Sequence, residues 1–402
     1  MPFSVAAIGF STRALVSACT AAGLGTVSVD AFADYDCQHQ TTASLKTEWG
    51  KTRHEVEHIV SWLSQIGQRG TSQLPPEHIL LGGGTENWPE LVDELEGHFS
   101  VLGPTTGQIR ALRDPKNWNS AAASAGMHFP PSRLHGENDI LLGSRSTNRD
   151  TARQPAMDTG VGVASSCVWL EKSLCGSGGW QVGRIPQAPG TVSSGRYIQQ
   201  YIAGMVLGAH FVCTPQPRLL GLTASFQSDD WPGPSEFIYR GSWGPIQLDE
   251  FGLPNAQQQT ERLLKTVKAL QRTSGILGWL QLDLVLDAAG QLWLLEVNPR
   301  WSAGMELLVD SGGENPVTAH LAAFGLRVPR NAACHSDDFS TGFSASRLSA
   351  KAIVYADQPT ELTPARLAAW QQLEWLADIP APCTAGEIIQ PGHPIATVKA
   401  SL

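Results

Sequence analysis

The chain has 402 residues, 42% hydrophobic and 16% charged, with a formal net charge of −9, enough for two or three domains and a substantial core. The negative balance excludes a nucleic-acid-coating surface, although a small anionic ligand needs only a local positive site. No run approaches the ~18 apolar residues of a membrane span, the first residues lack a basic secretory start, and the seven scattered cysteines show neither disulfide nor zinc spacing. The expected setting is a reducing cytoplasm, with no membrane and no nucleic-acid partner.

Ser4–Ile8 predicts a short buried strand. A helix pattern follows through Arg13, Leu15, Val16 and Cys19, closing near Gly23 and Gly25, and residues 26–29 predict a second strand ending at Asp30. This is a Rossmann-like β-loop-α-β unit, with only Gly9 where a dinucleotide fingerprint has three glycines. Residues 55–63 predict a helix. His78–Leu81 predicts a buried strand running into Gly82, Gly83, Gly84, Thr85, Glu86 and Asn87, with Asn87 as the cap of a helix over 89–95. Ligands in open α/β sheets bind beyond the carboxyl ends of strands. The triple glycine with Glu86 is therefore either a wall of a site or a plain tight turn.

Arg113, Asp114, Pro115 and Lys116 open a new segment, with a helix over 117–125 ending at Gly126; residues 143–160 read as a loop or insertion. A strand over 167–172 leads into Gly176, Ser177, Gly178 and Gly179, and a second strand over 180–184. Glycines let backbone N–H groups approach phosphate oxygens, and Lys172 offers a positive charge. With no Gly-Lys-Ser/Thr and no following helix, this is a flap and not a Walker loop. The alternative is an ordinary surface turn. Residues 197–202 read as an edge-like strand, 210–213 and 218–222 as strands, and 260–272 as an amphipathic helix. Residues 336–346 read as linking, 350–355 as a strand, 364–373 as a helix and 386–398 as a hairpin around Pro391-Gly392.

The most informative stretch is a predicted hairpin, 280–287 paired with 292–298 across a four-residue loop. If Asp287 faces Leu292, Asp283 lies opposite Glu296 and Gln281 opposite Asn298. Leu282, Leu284 and Leu286 then share a face with Trp293, Leu295 and Val297. Like charges directly opposed destabilise a hairpin. An oxygen-ligated hard cation such as Mg2+ removes that penalty. The alternative is a solvated face; against it, Val285 and Leu294 share the acids' face and Arg300 follows directly, a cation suited to phosphate or carboxylate.

Together these blocks resemble the ATP-grasp superfamily over roughly residues 1–330. The resemblance implies an α/β chain with a Rossmann-like N-terminal domain (1–105), a small subdomain with a glycine-rich flap (106–195), a large subdomain with the metal site (196–335) and a β-rich C-terminal domain (336–402). It implies that Lys172 and the flap residues Gly176, Ser177, Gly178 and Gly179 hold ATP phosphates. Gln199, Gln200, Tyr201 and Ile202 would form the adenine hinge and His210 would lie near the ribose. Asp283, Glu296 and Asn298 would ligate Mg2+ (or Mn2+), with Arg300 stabilising the transferring phosphate. Glu86 and Glu306 are the candidate substrate contacts. The chain departs from the pattern at Pro115, beside Lys116, where a first ATP lysine is common, and at Gln199, where an acid is frequent. The run Glu296 to Leu307, with Leu112-Arg113-Asp114-Pro115 earlier, is similar to ligases that join tyrosine or tyramine to glutamate in one-carbon cofactor assembly. The implied activity is ATP-dependent joining of a small-molecule carboxylate and an amine. A biotin-carboxylase-like carboxylase and a non-catalytic nucleotide-binding scaffold are the alternatives. Assembly as a homodimer is left open.

Overall fold

The computed structural model describes residues 4–66, 76–136, 167–185, 192–228, 230, 233–253, 255–328, 347–382 and 385–401. The expected loop over 143–160, the linking segment over 336–346 and Trp231 lie outside the described residues.

Five short strands, β1 (Ser4–Ile8), β2 (Gly25–Asp30), β3 (Ala43–Lys46), β4 (His78–Leu81) and β5 (Ser100–Leu102), form a sheet in the order β3-β2-β1-β4-β5. Every pairing is parallel, the doubly wound arrangement expected of a Rossmann-like domain. Side chains alternate between the faces. Ala6, Ile8, Ile79 and Leu81 pack with Val56, Ile59 and Leu63 of helix α3 (Arg53–Ile66). Val5, Ala7 and Leu80 pack on the other side with Leu15 and Val16 of α1 (Arg13–Ala21) and with Trp279, Trp301 and Met305. That second core docks the sheet onto the rest of the molecule. Helix α2 (Tyr35–Gln40) follows β2, and α4 (Pro89–His98) follows the triple glycine. Asn87 is not the cap of α4: it closes a 3-10 turn, Trp88 takes the cap position without a side-chain bond, and Pro89 at the first helical position presets the backbone.

Helices α5 (Thr106–Leu112) and α6 (Pro115–Ala125) meet at Arg113 and Asp114. Asp114 caps α6 by accepting from the Lys116 N–H, and Pro115 begins it. A small antiparallel sheet follows: β6 (Ser132–Leu134), β7 (Trp169–Ser173), β8 (Val182–Ile185) and β9 (Arg196–Gln200), in the order β6-β9-β7-β8. The strand expected to be edge-like is thus interior, flanked by β6 and β7.

The third sheet has eight strands, ordered β14-β13-β10-β11-β12-β15-β19-β17. They are β10 (Met205–Cys213), β11 (Arg218–Ser225), β12 (Gly241–Ile246), β13 (Gly278–Leu286), β14 (Leu292–Asn298), β15 (Ser349–Tyr355), β17 (Leu376–Ala377) and β19 (Pro394–Ser401). Helix α7 (Ala256–Ser274) sets Leu263, Val267 and Leu270 against one face, burying Leu280, Leu282, Leu284 and Phe211. Helices α8 (Met305–Asp310), α9 (Pro316–Ala323) and α10 (Pro364–Trp370) complete the chain. The C-terminal strands extend this sheet. The expected 386–398 hairpin does not form: β18 (Ile388–Ile389) pairs with β16 (Thr360–Glu361), while β19 pairs with β15 and β17. The Pro391-Gly392 turn therefore redirects the chain between two sheets. Among the described residues no helix is long and apolar enough to cross a membrane.

Candidate functional site: an acid pair under a glycine flap

β13 and β14 pair with Asp283 opposite Glu296 and Gln281 opposite Asn298, as the alternation predicts. The turn differs. Leu286, not Asp287, faces Leu292, and a β-bulge beside Asp283 absorbs the extra residue. The bulge reverses the expected facing of the loop-proximal residues. Leu294 opposes Leu284 in the core, whereas Trp293 opposes Val285 and Leu295 leaves the core. Of these two residues, Leu294 belongs to the core on the far face and Val285 stays outside that core cluster.

Asp283 accepts from the Gln281 Nε2 (2.7 Å) and from the Asn298 Nδ2 (2.9 Å). No cation bonds it directly among the described residues. Desolvation, and then the facing Glu296, push its carboxyl up to about 7. Across β13, Gly208 stands opposite Asp283; a Cβ there would lie 3.0 Å from the Gln281 amide and 3.2 Å from the Thr223 hydroxyl. Glycine keeps that face open.

Three cations converge on this shelf. Arg300 donates from Nε to the Glu86 Oε1 (3.0 Å) and from Nη2 to the Asn298 Oδ1 (3.3 Å). Glu86 also accepts from the Gly84 N–H (2.7 Å). Burial would raise the Glu86 carboxyl, but Arg300 and then Arg113 outweigh it and hold it below its ordinary value. Glu86, buried with both oxygens engaged, orients Arg300 from the strand ends of the first sheet. Lys172 projects from β7 and donates to the Gln199 Oε1 (2.7 Å). Burial lowers its ammonium, opposed by Glu296 and Asp283.

The third cation was not among the expected site residues. Arg113 Nη1 bonds Glu296 and the Asn298 Oδ1 (3.1 Å), and Nη2 donates to the carbonyls of Leu174 (2.9 Å) and Gly176 (3.0 Å). The available signal was an arginine just before a helix whose usual lysine position is held by Pro115. The flap joins β7 to β8. Beyond Gly176 and the exposed Ser177, the Gly178 carbonyl accepts from the Tyr239 N–H (3.0 Å). Gly179 has φ +80, and a Cβ there would fall 1.8 Å from the Phe237 carbonyl oxygen, so only glycine fits.

The hinge residues leave β9 with their backbone engaged: Gln200 N–H bonds the Pro131 carbonyl and Tyr201 N–H the Val168 carbonyl. The Tyr201 ring lies under the Arg184 guanidinium (4.4 Å), and Ile202 is partly buried. His210 is fully buried, with Nδ1 bonded to the Ser302 hydroxyl and Nε2 to the Thr223 hydroxyl (3.0 Å each). Burial, with Lys351 and Arg300, lowers it to about 3. Both ring nitrogens are thus occupied, and the ring braces the sheet where a ribose contact was expected. Glu306, on α8, is engaged by cations. It bonds Arg13, the Lys351 Nζ (2.8 Å) and the Lys399 Nζ (2.9 Å). Burial would raise its carboxyl, but these cations hold it well below the carboxylate range, so it is a charge hub and cannot take a proton at neutral pH.

The donor set fits a metal-nucleotide. Two carboxylates and an amide offer only oxygen, the choice of a hard divalent ion whose remaining ligands are phosphate and water. Among the described residues no cluster of three or more His, Cys, Asp or Glu could hold a metal unaided. The buried Gln199 Nε2 and Arg113 Nε have no hydrogen-bond partner, an arrangement suited to an acceptor-rich ligand.

A family model described as an ATP-grasp domain matches residues 150–304. No curated protein matches the sequence. Solved structures share the fold at low identity. They include a biotin carboxylase–β-γ-ATP complex from Campylobacter jejuni (TM-score 0.63, 13% identity, 99% of this chain and 87% of that one). An N5-carboxyaminoimidazole synthetase from Staphylococcus aureus complexed with ADP (0.62, 13%, 100% and 94%) and an L-amino acid ligase from Bacillus licheniformis (0.62, 13%, 100% and 94%) are also similar. The fold is that of these ATP-grasp structures, with residues 150–304 matching the ATP-grasp domain model and a Rossmann-like sheet at the N-terminal end.

Proposed function

We propose that the protein is an ATP-dependent carboxylate–amine ligase that forms an amide through an acyl phosphate. The single observation that carries this reading is the opposed pair Asp283 and Glu296, with Asn298, Arg300 and Lys172 at the same place. Asp283, Glu296 and Asn298 would hold Mg2+ or Mn2+, which when bound supplies charge neutralisation for the phosphates. Arg300, held by Glu86, presents a fixed positive charge to the oxyanions that develop at the acyl centre. Lys172 and the glycine turn would face the nucleotide phosphates, and the turn would keep water from the acyl phosphate. Gln199, Gln200, Tyr201 and Ile202 would receive adenine.

The narrower reading joins glutamate to tyrosine or tyramine, as in one-carbon cofactor assembly; it is supported by the motif that runs from Glu296 to Leu307. Carboxylation is the second reading. One structural neighbour, the biotin carboxylase domain of the Hydrogenobacter thermophilus 2-oxoglutarate carboxylase, was solved with MgADP and bicarbonate.

Phosphate release from ATP, measured across a panel of carboxylates and amines that includes glutamate with tyrosine and tyramine, separates these readings. Release that needs both an acid and an amine supports the ligase. Release stimulated by bicarbonate alone replaces it with a carboxylase, and ATP binding without turnover replaces it with a scaffold. Glu296→Gln is expected to lower turnover at least ~100-fold; near-normal activity would refute the metal assignment.

A further inference from the structure

Among the described residues, Arg113 is the cation that bridges the acid shelf and the flap. Its side chain is 9% exposed. The two terminal nitrogens divide their bonds between two segments: Glu296 and Asn298 of β14 on one side, the Leu174 and Gly176 carbonyls on the other. Its backbone has little freedom. The Arg113 N–H bonds the Ile109 carbonyl at the end of α5, and α6 begins two residues later at Pro115. Any movement of the guanidinium is therefore a movement of the side chain alone. Glu296 keeps 26% of its side chain exposed, so an ion from solvent can reach it.

The flap also meets Arg113 in an unusual sense. The turn gives its carbonyl oxygens to the guanidinium, and Gly176 accepts as well from the Asn87 amide (3.5 Å). A planar guanidinium with five donors can span two such groups of acceptors at once; an ammonium cannot.

We infer that Arg113 is a positioning residue that latches the near end of the glycine turn, Leu174 to Gly176, to the acid shelf, and that a divalent cation binding to Glu296 and Asn298 displaces it and loosens that end. Arg113 and the ion draw on the same carboxylate and amide oxygens, so each weakens the other's hold. Loss of the two β14 bonds frees the guanidinium that fixes the Leu174 and Gly176 carbonyls to the shelf, while the Tyr239 N–H bond to the Gly178 carbonyl holds the far end of the turn. The inference rests on the proposed reading only in taking Glu296 and Asn298 as ligands of the ion.

The test uses the full-length protein without nucleotide. Mn2+ binding is followed by electron paramagnetic resonance, and amide hydrogen exchange is followed over residues 174–182. Arg113→Ala is expected to bind Mn2+ about tenfold more tightly than wild type and to exchange about tenfold faster in the turn. Arg113→Lys keeps a charge but cannot span both groups, so its turn should also exchange fast while its Mn2+ affinity stays near wild type. In the wild-type protein, saturating Mn2+ should itself speed exchange in the turn, a measurement that needs no variant to fold. A stably folded Arg113→Ala protein that binds Mn2+ no more tightly would overturn the inference. So would a turn that exchanges at the same rate with and without Mn2+. Neither readout involves turnover: a protein that passes both tests yet releases no phosphate from ATP with any acid and amine keeps the latch and loses the ligase.

Discussion

Asp283 and Glu306 are acids of the same molecule in opposite electrostatic situations. Glu306 is buried among Arg13, Lys351 and Lys399, which come from an N-terminal helix and two C-terminal strands. Its charge is compensated in a network that also takes in Asp378 and Asp310, and it ties distant parts of the chain together. Among the described residues, Asp283 bonds two amide groups and faces a second carboxylate. Its charge is under-compensated, so its carboxyl is pushed up where that of Glu306 is pushed down. A compensated acid serves the fold. An under-compensated acid beside an open face is where a cation gains most by binding.

The strongest way to break this contrast is to neutralise each acid in turn. Glu306→Gln takes the carboxylate from the buried Lys351, while Arg13 keeps Asp378 and Lys399 keeps Asp310, and breaking a buried ion pair from one side costs about 3–5 kcal/mol. Urea unfolding should show that loss; a midpoint within error of wild type would mean the hub contributes nothing to stability. Asp283→Asn should do the reverse. It removes a like-charge opposition, so stability should hold or rise by up to about 1 kcal/mol, while ATP turnover falls about 100-fold (about 2.7 kcal/mol). Equal destabilisation by the two variants would erase the distinction.

The pH dependence sharpens the contrast at smaller amplitude. The folded-state pKa of Asp283 is raised, so its contribution to stability is complete below the ordinary value of 3.8 and is lost as pH rises through about 7. Wild type should therefore lose up to about 2 kcal/mol from this group between pH 5 and pH 8, a slope that Asp283→Asn should lack. Glu306 has the opposite sign: its contribution is present above 4.5 and disappears only as pH falls below that value. Identical pH–stability curves for wild type and Asp283→Asn would show that Asp283 is not under-compensated.

Much of the candidate site's geometry was legible because it is local. Alternation along residues 280–298 places Asp283 opposite Glu296 whatever the rest of the chain does, and Arg300 lies two residues beyond. Glycines mark the flap because close approach and positive φ exclude other residues. Other features were not legible. The bulge beside Asp283 adds one residue that no pattern of apolar spacing reveals, so Leu294 was placed on the wrong face. The surroundings of Glu306 were not legible because its partners come from both ends of the chain, Arg13 lying 293 positions away.

By itself, then, the sequence determined the α/β class, the acid-bearing hairpin, the glycine flap and the strand–loop–helix start of the N-terminal sheet, since each follows from steric and periodic rules acting over a few residues. Tertiary structure alone decided how each charge is compensated. It brought Arg113 to Glu296 across 183 positions, gave Glu86 to Arg300, filled both nitrogens of His210 and surrounded Glu306 with cations. The energy of a buried charge depends on what lies within a few ångströms of it in space, and chain order does not specify those neighbours.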